Sequence, residues 1–175
     1  MTRDDLARSI FDASHLTGEF HLRSGAVATE YFDKYQFEAN PELIRAIADA
    51  LTKLVPEGSD ALAGLELGGV PLAIVLSQKT GLPTLFVRKK AKSYGTCRLA
   101  EGGEIAGRRL CVVEDVVTSG GQIAESVAEL RALGAEISSA LCVIDRESGG
   151  RENLAEVGVE LHALFTMSDL MDAAT

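Results

Sequence analysis

Four short apolar runs constrain this 175-residue chain more than anything else in it: Ala63–Leu67, Thr84–Arg88, Leu110–Val113 and Ala140–Ile144. None alternates apolar with polar residues, so each predicts a strand covered on both faces. Between them lie segments with helical spacing. Asn40-Pro41 sets a capping residue before a proline at the first helical position, and Leu43, Ile44, Ile47, Ala48, Leu51 and Leu54 then predict an amphipathic helix to about Val55. Pro71–Lys79 reads as a second helix stopped by Gly81, and Ile123, Val127 and Leu130 mark the face of a third closed by Gly134. Strands alternating with helices imply parallel pairing through right-handed crossovers. The expectation is an α/β fold, a doubly wound parallel sheet, with ligands at the carboxyl ends of its strands.

The length suits one domain, 1–175, and 46% hydrophobic residues suffice for its core. Residues 1–40 read differently from the rest. A helix near Asp4–Ala13 precedes two strand-like pieces, Glu19–Leu22 and Glu30–Asp33, which predict a small flap over the 41–175 core. Residues 89–109 form a long connection without periodicity, rich in glycine, and predict a mobile functional loop. No apolar run approaches the roughly 20 residues that span a bilayer, and the start Met1-Thr2-Arg3-Asp4-Asp5 lacks a signal segment. Cys97, Cys111 and Cys142 form no C-x-x-C pair and fit a reducing compartment. These features predict a cytoplasmic protein without membrane contact. Seventeen basic against 26 acidic residues give a net charge of −9, which argues against a general nucleic-acid binder. His15, His21 and His162 show no ligand spacing, so no direct protein metal site is expected.

The chemistry concentrates in Leu110-Cys111-Val112-Val113-Glu114-Asp115-Val116-Val117-Thr118-Ser119-Gly120-Gly121-Gln122. A buried strand leads into two carboxylates, then a hydroxyl- and glycine-rich turn, then a helix. Free N–H groups of such a turn and of the helix's first turn, with the helix dipole, make a cradle for a phosphate monoester. Glu114 and Asp115 instead suit hydroxyl groups or a divalent cation. No Gly-Lys-Ser/Thr follows and no G-x-G-x-x-G occurs, so a Walker loop and a dinucleotide fingerprint are both absent. A second feature is charge. Arg88, Lys89, Lys90, Lys92 and Arg98 place five of the 17 basic residues within eleven positions of an acidic chain. A multiply charged small ligand suits this cluster better than nucleic acid, because only Tyr94 offers stacking.

The run Val112 to Gly121 resembles the phosphoribosyl-diphosphate signature of the type I phosphoribosyltransferases. Arg88-Lys89-Lys90-Ala91-Lys92-Ser93-Tyr94-Gly95 is similar to the catalytic loop of the orotate phosphoribosyltransferase family, with Tyr94 where a histidine is usual. Phe20 to Gly25 followed by Tyr31-Phe32-Asp33 resembles that family's flap over orotate, with Arg23 in place of a lysine. Cys142 to Arg146 resembles the strand whose terminal arginine meets the orotate carboxylate, and Glu66 to Pro71 resembles its pyrophosphate loop, with Gly68 where many relatives carry lysine. The resemblance runs in order from about Phe20 to Leu170.

It implies a type I phosphoribosyltransferase fold and transfer of a phosphoribosyl group from 5-phosphoribosyl 1-diphosphate to orotate. Phosphoribosyl diphosphate would be held by Arg88, Lys89, Lys92, Tyr94, Glu114, Asp115, Val116, Val117, Thr118, Ser119, Gly120, Gly121, Gln122, Gly68 and Gly69. Orotate would be held by Arg23, Tyr31, Phe32, Thr118 and Arg146. Lys92 and Asp115 would be catalytic, Mg²⁺ would be carried mainly by substrate, and a homodimer would share its 88–98 loops in trans. Asp115, read as a strand-end carboxylate facing a cleft, should be replaceable by alanine without loss of folding. Two alternatives stay open: a transferase for another nucleobase, and a non-catalytic nucleotide- or RNA-binding regulator on the same fold. A purine site would have no use for a carboxylate-reading Arg146.

Overall fold

The computed structural model describes residues 1–21, 25–90 and 99–175. The expected roles of Arg23, Lys92 and Tyr94 therefore fall outside the described residues. Helix α1 (Arg3–Ser14) starts at a capping box in which Thr2 accepts from the Asp5 amide and Asp5 accepts from the Thr2 amide. Strands β1 (His15–His21) and β2 (Val27–Phe32) pair antiparallel as a hairpin, longer than the two expected pieces. Most of its residues are exposed, so it stands off the body as a flap. Helices α2 (Lys34–Ala39) and α3 (Pro41–Leu51) follow, and Asn40 caps α3 by accepting from the Glu42 and Leu43 amides.

The main sheet has the order β5-β4-β3-β6-β7-β8. Its strands are β3 (Ala61–Leu65), β4 (Thr84–Val87), β5 (Ala100–Glu101), β6 (Arg109–Val117), β7 (Glu136–Asp145) and β8 (Glu160–Thr166). All neighbours are parallel except β4 and β5. The sheet is thus mixed, because a two-residue strand inside the long connection adds an antiparallel edge. Helices α4 (Gly69–Thr80), α5 (Gly121–Ala132), α6 (Gly150–Glu156) and α7 (Met167–Ala174) complete the fold.

One face of the sheet carries α5 and α6 over Val112, Ala140 and Leu161. The other carries α1, α3, α4 and α7 over Cys111, Val113 and Leu141. Helix α1, which precedes the flap in the chain, belongs to the core: Leu6, Ala7 and Ile10 are buried there, and Arg3 ion-pairs with Asp169 of α7 at 3.0 Å. From β3 the chain steps outward to β4 and β5, then returns to β6 and steps the other way. The strand order reverses between β3 and β6, with α4 and α5 on opposite faces. A crevice opens at such a switch point.

Among the boundaries that differ from expectation, two bear on the site. Gly68-Gly69 does not close a strand; Gly69 begins α4. And β6 does not end at Val113. It continues through Glu114 and Asp115 to Val117, because the ladder to β7 persists at Glu114–Cys142, Val116–Ile144 and Val117–Asp145.

Candidate active site

The crevice between β3 and β6 gathers the segments singled out in the sequence. After β6 the chain turns at Gly120, whose φ is 75°, and enters α5 with no side-chain cap. The first amides of α5 thus point outward with the positive end of the helix dipole, beside the exposed Thr118 and Ser119 hydroxyls. Helix α4 likewise begins without a side-chain cap. A Cβ on Gly69 would lie 2.1 Å from the Val113 carbonyl oxygen, so glycine alone lets α4 start directly against β6. Two uncapped helix N-termini from opposite faces of the sheet meet here, which suits a ligand with phosphates at both ends. Arg88 leaves the end of β4, and its buried Nε has no hydrogen-bond partner among the described residues. A buried guanidinium nitrogen without an acceptor suits an incoming anion.

The acidic pair is split by the strand's alternation. Glu114 follows Val112 toward the α5 face, and Asp115 follows Val113 toward the α4 face. Asp115 is fully buried, which corrects the expectation of a cleft-facing carboxylate with little packing. Its Oδ1 accepts from the Val116 amide at 2.5 Å and its Oδ2 meets Lys34 Nζ at 2.5 Å. A Cβ on Gly68 would fall 1.6 Å from Asp115 Oδ2 and 2.8 Å from Glu38 Oε1. Glycine at 68 therefore leaves room for this carboxylate cluster. Glu38 Oε1 is buried and lacks a hydrogen-bond partner among the described residues, and a proton on Glu38 donated to Asp115, beside its Lys34 contact, would satisfy it.

The electrostatics agree with that proton. Burial and then the neighbouring Asp115 push Glu38 up to about 9. Burial and the Asp115 charge push Glu114 up to about 8. Burial would raise Asp115 as well, but hydrogen bonds from Glu38 and Lys34 together hold it below the ordinary carboxylate value. Burial opposes the charge on Lys34, and the Asp115 contact outweighs it, so Lys34 is raised. The Cys111 thiol is pushed up to about 12 by burial and is chemically quiet.

Unfolded, Glu38 and Glu114 ionise near 4.5; folded, they keep their protons to about 9 and 8. The unfolded chain thus binds fewer protons in between, and stability falls as pH rises from about 5 to 9. Urea midpoints measured across that range should decline, and Glu38→Gln, which cannot ionise, should flatten the slope. An equal slope in the variant would show that Glu38 does not carry it.

Tyr31, Phe32, Lys34, Val116, Thr118 and Arg146 line one cavity of about 470 Å³ beneath the flap. Four of the five residues expected to hold orotate, all but Arg23, converge there from β2, the β6–α5 turn and the end of β7. The Phe20 and Tyr31 rings stack at 5.5 Å across the hairpin. Arg146 donates its amide to the Val117 carbonyl at 2.8 Å. Its neighbours are occupied elsewhere: Asp145 faces Arg151 at 3.5 Å, and Glu147 binds Ser168. A larger cavity of about 590 Å³ lies among α1, α3 and β8 and contains none of these residues.

A model of the phosphoribosyl transferase domain matches residues 34–161. The orotate phosphoribosyltransferase of Nocardioides sp. is 53% identical over 175 residues, covering 99% of this chain and 97% of that protein. This chain belongs to the orotate phosphoribosyltransferase family. The family member from Halobacterium salinarum is 46% identical over 171 residues, with 97% of each chain covered. The Mycobacterium tuberculosis orotate phosphoribosyltransferase solved with 5-phospho-α-D-ribosyl 1-diphosphate superposes with a TM-score of 0.82 at 26% identity, over 97% of this chain and 98% of that one. Lys34 and Glu38 join the candidate site without a signal in the sequence. Neither lies in the acidic or basic motif, and only folding α2 against β6 brings them to Asp115. No helix among the described residues is long and apolar enough to cross a membrane.

Proposed function

We propose that this protein transfers the phosphoribosyl group of 5-phosphoribosyl 1-diphosphate to orotate, giving orotidine 5′-monophosphate and pyrophosphate. The observation that carries it is convergence: Arg146, Thr118 and the Tyr31–Phe32 pair share one cavity that adjoins the uncapped α5 turn. The 5′-phosphate sits on Thr118 to Gln122. The diphosphate sits at Gly68-Gly69 and the α4 terminus, against Arg88 and Lys89. Glu114 and Asp115 accept the ribose hydroxyls, Asp115 by exchanging its Lys34 contact. Arg146 forks onto the orotate carboxylate, and Tyr31 and Phe32 cover the ring.

Displacement at the anomeric carbon passes through an oxocarbenium-like centre and needs no protein nucleophile. The protein's work is to align two substrates, exclude water and stabilise charge on the leaving group. Lys92 supplies part of that charge from the loop of the neighbouring subunit in a homodimer. The residues present fit a cation carried by the substrate rather than by the protein: Asp115 faces Lys34 and Glu38 until the ribose displaces Lys34, and Glu114 beside it keeps its proton to about 8. Mg²⁺, held mainly by diphosphate oxygens and water, would neutralise further charge when bound. We place the reaction in the cytoplasm.

Incubation with phosphoribosyl diphosphate, Mg²⁺ and, separately, orotate, uracil, adenine and hypoxanthine tests the substrate. Pyrophosphate should appear with orotate; its absence with every base would overturn the enzyme reading. Mixing Lys92→Ala with Arg146→Ala subunits tests the shared loop, because a heterodimer would keep one undamaged site. Activity should return on confirmed subunit exchange, and activity that stays at the mutant level would place the loop in cis.

A further inference from the structure

Arg146 is exposed at the end of β7, and long exposed side chains are poorly preorganised unless their backbone is held. The next residue supplies the hold. Glu147 has a φ of 55°, the only positive value at a non-glycine among the described residues. Left-handed backbone at a glutamate persists only where surroundings impose it. Two sets of contacts impose it here. The Glu147 amide donates to Asp145 Oδ1 at 2.9 Å, and Asp145 is itself buried. The Glu147 carboxylate reaches the start of α7, where Oε2 accepts from the Ser168 amide at 3.0 Å and from Ser168 Oγ at 2.6 Å. A carboxylate in the first turn of a helix also meets the positive end of its dipole. Between these anchors, the Arg146 amide is bonded to Val117 next to Thr118.

We infer that Glu147 is a positioning residue for orotate recognition: by pinning the β7–α6 turn to α7 it holds Arg146 toward the base cavity. This rests on the proposed reading of Arg146. The phosphate turn has its own support, since Asn153 Nδ2 donates to the Ser119 carbonyl at 3.0 Å. The phosphate turn thus keeps a support from α6 that does not pass through Glu147, and damage to Glu147 should fall mainly on orotate.

Steady-state kinetics with both substrates tests it. Glu147→Gly removes the brace and relieves the backbone, and should raise the KM for orotate about tenfold while the KM for phosphoribosyl diphosphate stays within twofold. Glu147→Gln should remain within about threefold of the parent, because its amide oxygen still accepts from Ser168. Ser168→Ala, which deletes the shorter bond at an exposed site, should raise the orotate KM about threefold and serves if the glycine variant folds poorly. In an Arg146→Ala background, Glu147→Gly should add nothing, since a residue acting through Arg146 has no remaining target. An unchanged orotate KM in Glu147→Gly and Ser168→Ala, equal rises for both substrates, or full additivity with Arg146→Ala would each overturn the inference. If Arg146→Ala itself leaves the orotate KM unchanged, the orotate reading fails as well. If Arg146→Ala raises it and Glu147→Gly does not, the brace alone is refuted.

Discussion

Replacing Gly69 with alanine should abolish activity and cost the fold about 3 kcal/mol, the upper end of what overpacking typically costs. The new methyl would lie 2.1 Å from the Val113 carbonyl oxygen, 3.0 Å from its carbon and 3.3 Å from the Glu114 Cα. All three are backbone atoms of the central strand, held on both sides by β3 and β7, so they cannot swing away. Helix α4 must retreat, and the diphosphate end of the crevice retreats with it. Urea denaturation should show the midpoint lowered by about 1–3 M if each molar of urea is worth 1–3 kcal/mol. Gly68→Ala makes an informative contrast. Its methyl would meet the Asp115 and Glu38 carboxylates, which are side chains that can rotate. It should lose less stability than Gly69→Ala and still weaken phosphoribosyl-diphosphate binding. Parental stability in Gly69→Ala would show that α4 does not start against β6.

Arg146→Ala should raise the orotate KM by about 30- to 150-fold, the equivalent of about 2–3 kcal/mol for a hydrogen bond to a charged group. Arg146 is exposed, so the melting temperature should hold. The KM for phosphoribosyl diphosphate should change less than twofold. Uracil, which lacks the carboxylate, should be as poor a substrate for the variant as for the parent, so the preference for orotate over uracil should shrink by the same factor. Lysine should restore little, since an ammonium cannot match the planar fork. Parallel losses with orotate and phosphoribosyl diphosphate would assign Arg146 to the phosphate site.

Much of this architecture is written locally. Leu110–Val113 and Ala140–Ile144 declare buried strands by composition, Asn40-Pro41 declares a helix start, and Gly81 and Gly134 adopt the positive φ expected of helix stops. The course of β6 past Val113 was hidden because two carboxylates in a row read as solvent-facing chain. They stay in the strand because β7 continues to pair with them. Strand β5 is two residues long and α6 seven, too short for periodicity to register. Strand β8, Glu160–Thr166, mixes charged and apolar residues as an edge strand does, and its apolar run is too brief to stand out.

Neighbouring residues alone specify the α/β class, the hydroxyl- and glycine-rich turn at Thr118–Gly121 and the candidate residues Tyr31, Phe32 and Arg146, because strand burial, helix-start chemistry and motif order are local properties of the chain. Tertiary structure alone decided what surrounds Asp115. Lys34 and Glu38 lie about 80 residues away in the chain, and Gly68 nearly 50, yet all three converge on one buried oxygen. The charge of a carboxylate is set by what desolvates it and what donates to it, and those partners are chosen by packing rather than by adjacency.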